Sequence, residues 1–168
     1  RRSSDLDLEQ VALEWLQSLG YDYKKGNEIS MTGLTSERKS DKEVVLHERL
    51  EKALRKINSD IHPRFIEKAI HELTLEKSPN LLENNLTFHE NLINGIEVED
   101  YDDEGQSVVE IVKIVDFEHP QNNDFLAVNQ FTVVNGDYTK RPDIVLFING
   151  LPIVVIELKN STNETVGV

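Results

Sequence analysis

Cysteine is absent from the 168 residues. That removes disulfide staples and thiolate metal sites together, and it accords with a reducing compartment. Long apolar runs are missing as well. No segment approaches the roughly 18 unbroken apolar residues of a membrane span, and no charged-then-apolar leader opens the chain. The expectation is a cytoplasmic protein with no membrane partner. Cations are scarce, with 18 Lys+Arg against 31 Asp+Glu and a net charge of -13. Lys and Arg contacts to phosphates supply most non-specific affinity for DNA, so this chain alone is poorly equipped to grip a nucleic-acid backbone. Its small basic groups, Lys24-Lys25, Arg38-Lys39 and Lys140-Arg141, either touch phosphates or serve solubility. The histidines His47, His62, His71, His89 and His119 lack metal-ligand spacing, which argues against zinc, and they read as surface or capping residues. The single tryptophan, Trp15, reads as a core anchor.

What is present fits one ordinary domain, long enough to bury roughly two-thirds of its unfolded surface. Residues 1–168 read as a unit that is helix-rich over 1–95 and β-rich over 96–160. Arg1 in place of Met, and the unmarked ending Thr165-Val166-Gly167-Val168, read as a piece of a longer protein. Leu6, Val11, Leu13, Trp15, Leu16 and Leu19 recur at helical spacing before Gly20, a favoured helix stop. Tyr21 to Gly33 is strand or loop. Ser40 and Glu43 form a capping-box pattern, followed by Val44, Leu46, Leu50, Leu54 and Ile57 at helical spacing. Pro63 suits the first turn of a helix carrying Phe65, Ile66, Ala69, Ile70 and Leu73. A further helix runs from Leu81 to Ile93, before Asn94-Gly95. These helices read as packing elements.

After Gly95 the texture becomes β. Ile96 to Tyr101, a turn at Asp102-Asp103-Glu104-Gly105, and Val108 to Phe117 predict a hairpin. A loop over Glu118 to Asp124 leads into a strand from Phe125 to Val134, broken at Asn135-Gly136. Ile144 to Ile148 and Ile153 to Leu158 flank Asn149-Gly150 as a last pair. Their apolar character on both faces predicts the middle of a helix-covered sheet. Asn160-Ser161-Thr162 and Asn163-Glu164-Thr165 match glycosylation acceptors, for which a chain without secretory signs has no use.

Three charged residues interrupt that last apolar pair: Asp143, Glu157 and Lys159. Charged side chains are almost never buried unless paired or metal-bound, so their place at the ends of greasy strands points to chemistry. Glu157 and Lys159 are two apart and share one strand face, bringing an acid and an amine to one cleft. Phosphodiester hydrolysis needs a positioned water, counter-charge for the developing phosphorane and relief for the leaving oxygen. Mg²⁺ prefers hard oxygen ligands and keeps several waters, so Asp143, Glu157 and the backbone carbonyl of Leu158 would suffice as ligands. Lys159 would orient the water or help deprotonate it, since burial and a nearby cation lower an amine's pKa.

The turn sets a geometric condition. A plain two-residue loop at Asn149-Gly150 puts Ile148 across from Leu151 and Asp143 across from Ile156, so Asp143 and Glu157 project from opposite faces. A three-residue loop including Leu151, or one bulge in either strand, brings Asp143 across from Glu157. The slipped register is therefore predicted. A regular two-residue turn with no bulge would contradict a shared metal site.

The run Asn123-Asp124-Phe125-Leu126-Ala127-Val128-Asn129-Gln130-Phe131-Thr132-Val133 is followed by Arg141-Pro142-Asp143-Ile144-Val145-Leu146-Phe147. Asn149-Gly150-Leu151-Pro152 then leads to Glu157-Leu158-Lys159-Asn160. Together these resemble the amino-terminal nuclease domain of type I restriction enzyme R subunits, within the PD-(D/E)xK superfamily. The likeness extends back through Leu81-Leu82-Glu83-Asn84-Asn85 and Glu48-Arg49-Leu50, over most of the chain. The resemblance implies an α/β, restriction-endonuclease-like core: a mixed sheet flanked by helices, with a helical segment inserted in the first half. It implies Mg²⁺ with Mn²⁺ as substitute, double-stranded DNA as substrate, and modification and specificity subunits as partners. It also implies an ATP-driven motor. No G-x-x-x-x-G-K-[ST] loop occurs within residues 1–168, so ATP binding is expected beyond Val168. The family's Q-x-x-x-Y helix, after the E-x-K strand, is likewise expected beyond this chain.

Leu8-Glu9-Gln10-Val11, with Leu16, Leu19, Gly20 and Tyr21, resembles the first helix of the wider superfamily, whose acid often completes the metal shell. Glu9 is the candidate and Glu14 the alternative, against a solvated helix-surface role. Two other functions stay open. One is a catalytically idle nuclease fold used as a docking module. The other is a stand-alone repair or mobile-element nuclease, which the acidic balance disfavours.

Overall fold

A computed structural model describes residues 3–75, 78–101 and 104–159. Both glycosylation patterns, and Asp102-Asp103 of the expected turn, lie outside the described residues. In chain order the elements are α1 (Ser3–Ser18), β1 (Asp22–Lys25), α2 (Gly26–Ile29), α3 (His47–Ile57), α4 (Pro63–Thr74), α5 (Leu81–Asn94), β2 (Ile96–Tyr101), β3 (Ser107–Val112), a short 3₁₀ turn (Pro120–Asn122), β4 (Phe125–Asn129), β5 (Val133–Asn135), β6 (Tyr138–Lys140), β7 (Ile144–Ile148) and β8 (Leu151–Ile156). They form two compact units: Arg1–Leu46 together with Phe125–Val168, and His47–Asp124, inserted in sequence between those stretches. No helix among the described residues is long and apolar enough to cross a membrane.

The first unit is a four-stranded mixed sheet of order β1-β4-β7-β8. β1 runs parallel to β4, and the other neighbours are antiparallel. Period-2 alternation sends the apolar residues of β4 and β7 to both faces. Leu126, Val128, Val145 and Phe147 join Ile29, Leu46 and Phe131 on one side. Ala127, Ile144 and Leu146 meet Leu13 and Leu16 of α1 on the other. Each fully buried large side chain contributes about 1.5–3 kcal/mol. β4 and β7 are therefore the buried middle strands, whereas β8 is an edge whose Ile153, Val154 and Val155 are exposed. The expectation that both final strands are central holds for β7 and fails for β8, because no strand among the described residues pairs with its outer side.

Arg38 shows how a cation enters such a core. Its guanidinium donates to the carbonyls of Glu43 at 2.7 Å, Thr132 at 2.8 Å and Asp41 at 2.8 Å, and it stacks 4.1 Å from the Phe131 ring centroid. Trp15, expected inside, is exposed. Glu9, Leu13 and Leu16, at spacings of four and three, take the inward stripe of α1, leaving Leu8, Val11, Trp15 and Leu19 outside.

In the inserted unit, α3 packs on α4, and α4 packs on the antiparallel β2–β3 hairpin. Pro63 occupies the first turn of α4, where a missing N–H is harmless, and the His62 imidazole accepts from the Arg64 amide at 3.3 Å as the cap. The helix expected to follow Ser40-Glu43 begins only at His47. Ser40 to Glu43 instead closes a turn, with the Glu43 amide on the Ser40 carbonyl at 3.1 Å and the Lys39 amide on the Glu43 carboxylate at 2.7 Å. Leu46 cannot join α3, because its amide donates to the Gly150 carbonyl at 2.8 Å and its side chain fills the sheet core. α5 ends at Gly95 as expected but buries no residue, so it is less of a packing element than its sequence promises. β3 stops at Val112, short of the expected Phe117, and the 3₁₀ turn occupies the expected loop.

Candidate active site

Asn149 and Gly150 adopt φ of 53° and 79°, the left-handed pair that lets a two-residue turn follow the twist of its strands. Ile148 accordingly faces Leu151 and Phe147 faces Pro152. Continued regularly, this turn would separate Asp143 from Glu157. The register shifts between Leu146 and Phe147: Leu146 faces Val154, and Ile144 faces Ile156. Ile153 is the extra residue of a β-bulge, beside a proline that can donate no ladder bond. The ladder ends at that pair; continued by one step, the same register would set Asp143 across from Glu157. The slip required by a shared site is present, made by a bulge and not by a longer loop.

Asp143 is buried, 9% exposed. Its Oδ2 accepts the Leu158 N–H at 2.8 Å, and its backbone carbonyl accepts the Gln130 N–H at 2.9 Å. The first of these bonds corrects the expected end of the last strand. β8 finishes at Ile156, and the Leu158 amide turns to a carboxylate. Leu158, expected as a carbonyl ligand, thus approaches Asp143 through its amide. Glu157 and Lys159 follow β8 as exposed residues.

Glu9 is 4% exposed on α1. Its Oε1 accepts from Asn129 Nδ2 at 2.7 Å and its Oε2 from Gln130 Nε2 at 3.0 Å. Amide donors of this kind offset the desolvation of a buried carboxylate. The same Gln130 nitrogen makes a long contact of 3.5 Å to Asp143 Oδ1. Asn129 is itself oriented by Tyr23, whose hydroxyl donates to its Oδ1 at 3.2 Å. Burial, with Glu28 and Glu9 adding to it, pushes the Tyr23 phenol above its ordinary value, so it stays a donor at neutral pH. Glu14 points away, exposed and bonded to Gln10 at 3.0 Å. The solvated-surface reading of Glu9 is thereby excluded.

Asn129 and Gln130 are the residues that sequence reasoning passes over. Phe125 to Val134 reads as one strand, yet Gln130 adopts φ 54° and ends β4, with β5 beginning at Val133. A left-handed conformation in a non-glycine residue costs about 1–3 kcal/mol and persists only where surroundings hold it. Here the backbone bond to Asp143 and the side-chain bond to Glu9 do so. The available signal is two adjacent amides interrupting a run of β-formers.

Around Asp143 and Glu9 the donors are oxygens: buried carboxylates held by neutral amides, with the exposed Glu157 just past the end of β8. That set suits Mg²⁺ and does not suit a soft thiophilic metal. Glu9, Asp143 and Glu157 are not drawn together as tightly as Asp116, Glu118 and His119 of the inserted unit, the one trio among the described residues with ligand atoms all within 4.8 Å. In that trio the Asp116 oxygens already accept from the His119 amide and the Asn122 side chain.

Comparison with known proteins identifies the family. The family model described as the type I restriction enzyme R protein N terminus matches residues 2–167. The type I restriction enzyme HindI endonuclease subunit of Haemophilus influenzae is 39% identical over 160 residues, covering 95% of this chain and 15% of that protein. The putative type I restriction enzyme MjaIXP endonuclease subunit of Methanocaldococcus jannaschii is 36% identical over 168 residues, covering 97% of this chain and 16% of that protein. A match over nearly every residue, including both strands of the slipped hairpin, shows that the chain belongs to the family of type I restriction enzyme R protein N termini.

Proposed function

We propose that this chain is the DNA-cutting domain of a type I restriction enzyme, hydrolysing phosphodiester bonds of double-stranded DNA with Asp143, Glu157 and Lys159. The observation that carries the reading is the Ile153 bulge, which sets Ile144 across from Ile156, the register from which Asp143 and Glu157, the next residue on each side, would meet. Relatives named as endonuclease subunits support it. Bound Mg²⁺, or Mn²⁺ in its place, would supply charge stabilisation for the phosphoryl oxygens. Asp143 and Glu157 would hold it, with Glu9 completing the carboxylate set. The Leu158 amide fixes one Asp143 oxygen, leaving the carboxyl plane defined before substrate arrives. Asn129 and Gln130 fix Glu9 in the same way. Lys159 orients the attacking water and provides positive charge beside the phosphorane.

The chain spans only 15–16% of the length of these two relatives. ATP-driven translocation, and assembly with modification and specificity subunits, belong in this proposal to the remainder of such a protein. The test is cleavage by the full-length protein in its assembly. Asp143→Ala and Lys159→Ala should each lower Mg²⁺-dependent cleavage by about 10²-fold or more, with ATP hydrolysis retained. Cleavage surviving both changes, with normal ATP hydrolysis, would contradict the assignment.

A further inference from the structure

We propose that a groove beside Asp143 seats a backbone phosphodiester of the DNA strand being cut, with Lys25 and Arg141 as its cations. The inference rests on the nuclease reading above and adds a substrate-binding element to it.

The groove is a cavity of about 410 Å³ in the first unit. It shares Asn129 and Gln130 with the carboxylate network, so a strand lying in it passes the two amides that hold Glu9. Its wall at the β1–α2 junction is close-fitting. A Cβ on Gly26 would collide with the Gln130 carbonyl and come within 2.8 Å of the Asn129 carbonyl. Only glycine lets this backbone press against the two residues that carry the network, and a side chain there would displace them.

The basic pairs of the sequence have different fates, and the difference selects the groove. Lys24 is committed to Glu37 at 2.8 Å. Arg38 is buried and bonded to three carbonyls. Lys25 and Arg141 both line the groove, both are exposed, and neither makes an ion pair among the described residues. Asn27 and Thr132 add neutral polar groups of the kind that bind phosphate oxygens. The one carboxylate of the lining, Asp41, has Oδ1 3.6 Å from the Arg38 guanidinium, which offsets its charge. In a chain of net charge -13, two such cations meeting at a polar groove beside a carboxylate site fit an anion. The anion that must reach that site is the DNA backbone.

The test is binding of a short DNA duplex to the full-length protein, without nucleotide and with Ca²⁺ in place of Mg²⁺, across a series of KCl concentrations. Lys25→Ala and Arg141→Gln should each weaken binding by about two- to fivefold. Each should also lower the slope of log affinity against log salt by about 0.9 for every phosphate that is no longer neutralised. Lys25→Arg and Arg141→Lys should keep the wild-type slope, which a change acting only on folding would not do. A double Lys25→Ala/Arg141→Gln variant with wild-type affinity and slope overturns the groove. Asp143→Ala in the cleavage assay separates the two claims: if it abolishes cutting while the double variant binds normally, the groove alone fails; if it still cuts, the nuclease reading itself fails.

Discussion

Glu9 and Glu14 sit five positions apart on one helix, and their surroundings differ completely. The 3.6-residue period places Glu9 on the same stripe as Leu13 and Leu16, so it enters the core and meets the amides of Asn129 and Gln130. Glu14 faces water and bonds only to Gln10 among the described residues. Glu9→Ala should therefore abolish most cleavage by the assembled protein, and Glu14→Ala should leave it within about twofold. Equal effects of the two changes would show that burial of Glu9 serves structure alone. Asp143, Glu157 and Lys159 stand out as candidates in the sequence because charge is conspicuous at the ends of apolar runs. Glu9 is legible only through resemblance, since a glutamate on an amphipathic helix is ordinarily solvated. Gln130 is invisible because its role depends on a left-handed backbone that propensity disfavours.

At the scale of elements, the decisive feature is one surplus residue in β8. The need for a slip follows from residue counts, but its location does not: a longer loop and a bulge satisfy the same arithmetic. Proline at position 152 and the edge position of β8 favour the bulge. This yields a counterintuitive pair of outcomes. Deleting Ile153 removes the bulge yet keeps Ile144 across from Ile156, the register the proposed site needs, so cleavage should persist within about tenfold. Inserting one alanine after Ile153 adds a second surplus residue and carries Glu157 past Asp143, so cleavage should disappear while the hairpin still forms. Both variants are read by the plasmid-cutting rate of the assembly, with circular dichroism reporting the fold. An active insertion variant would mean that register does not build the site. Helix boundaries depart from the sequence pattern for a related reason. Ser40-Glu43 carries a capping pattern, but Leu46 is drawn into the sheet core, and α3 cannot start until His47.

For the whole molecule, the division into helix-rich and β-rich stretches follows composition, whereas the two compact units follow packing that crosses the sequence. The inserted unit, His47–Asp124, carries its own acid sensitivity. Hydrogen bonds from the Asn122 side chain and the His119 amide hold Asp116 below the usual carboxylate range, and the Tyr101 amide and Lys68 do the same for Asp100. Lowered folded values mean stability that is complete above the unfolded value, near pH 4, and that drains away as pH falls through the folded values. Unfolding followed from about pH 6 to about pH 2.5 should show this loss, and Asp116→Asn should reduce it; an unchanged pH dependence in that variant would remove Asp116 from the account. The net charge of -13 and the 15–16% share of its relatives' length fit the proposal of a cutting domain that relies on the rest of such a protein for its hold on DNA. The central claim is that the carboxylates of Glu9 on α1, Asp143 just before β7 and Glu157 just after β8 form one divalent-metal site. Calorimetric titration of Mn²⁺ into the full-length, nucleotide-free protein tests it most directly. The account predicts one site whose affinity drops at least about tenfold in Glu9→Gln, in Asp143→Asn and in Glu157→Gln alike. Unaltered Mn²⁺ affinity in all three variants would contradict it.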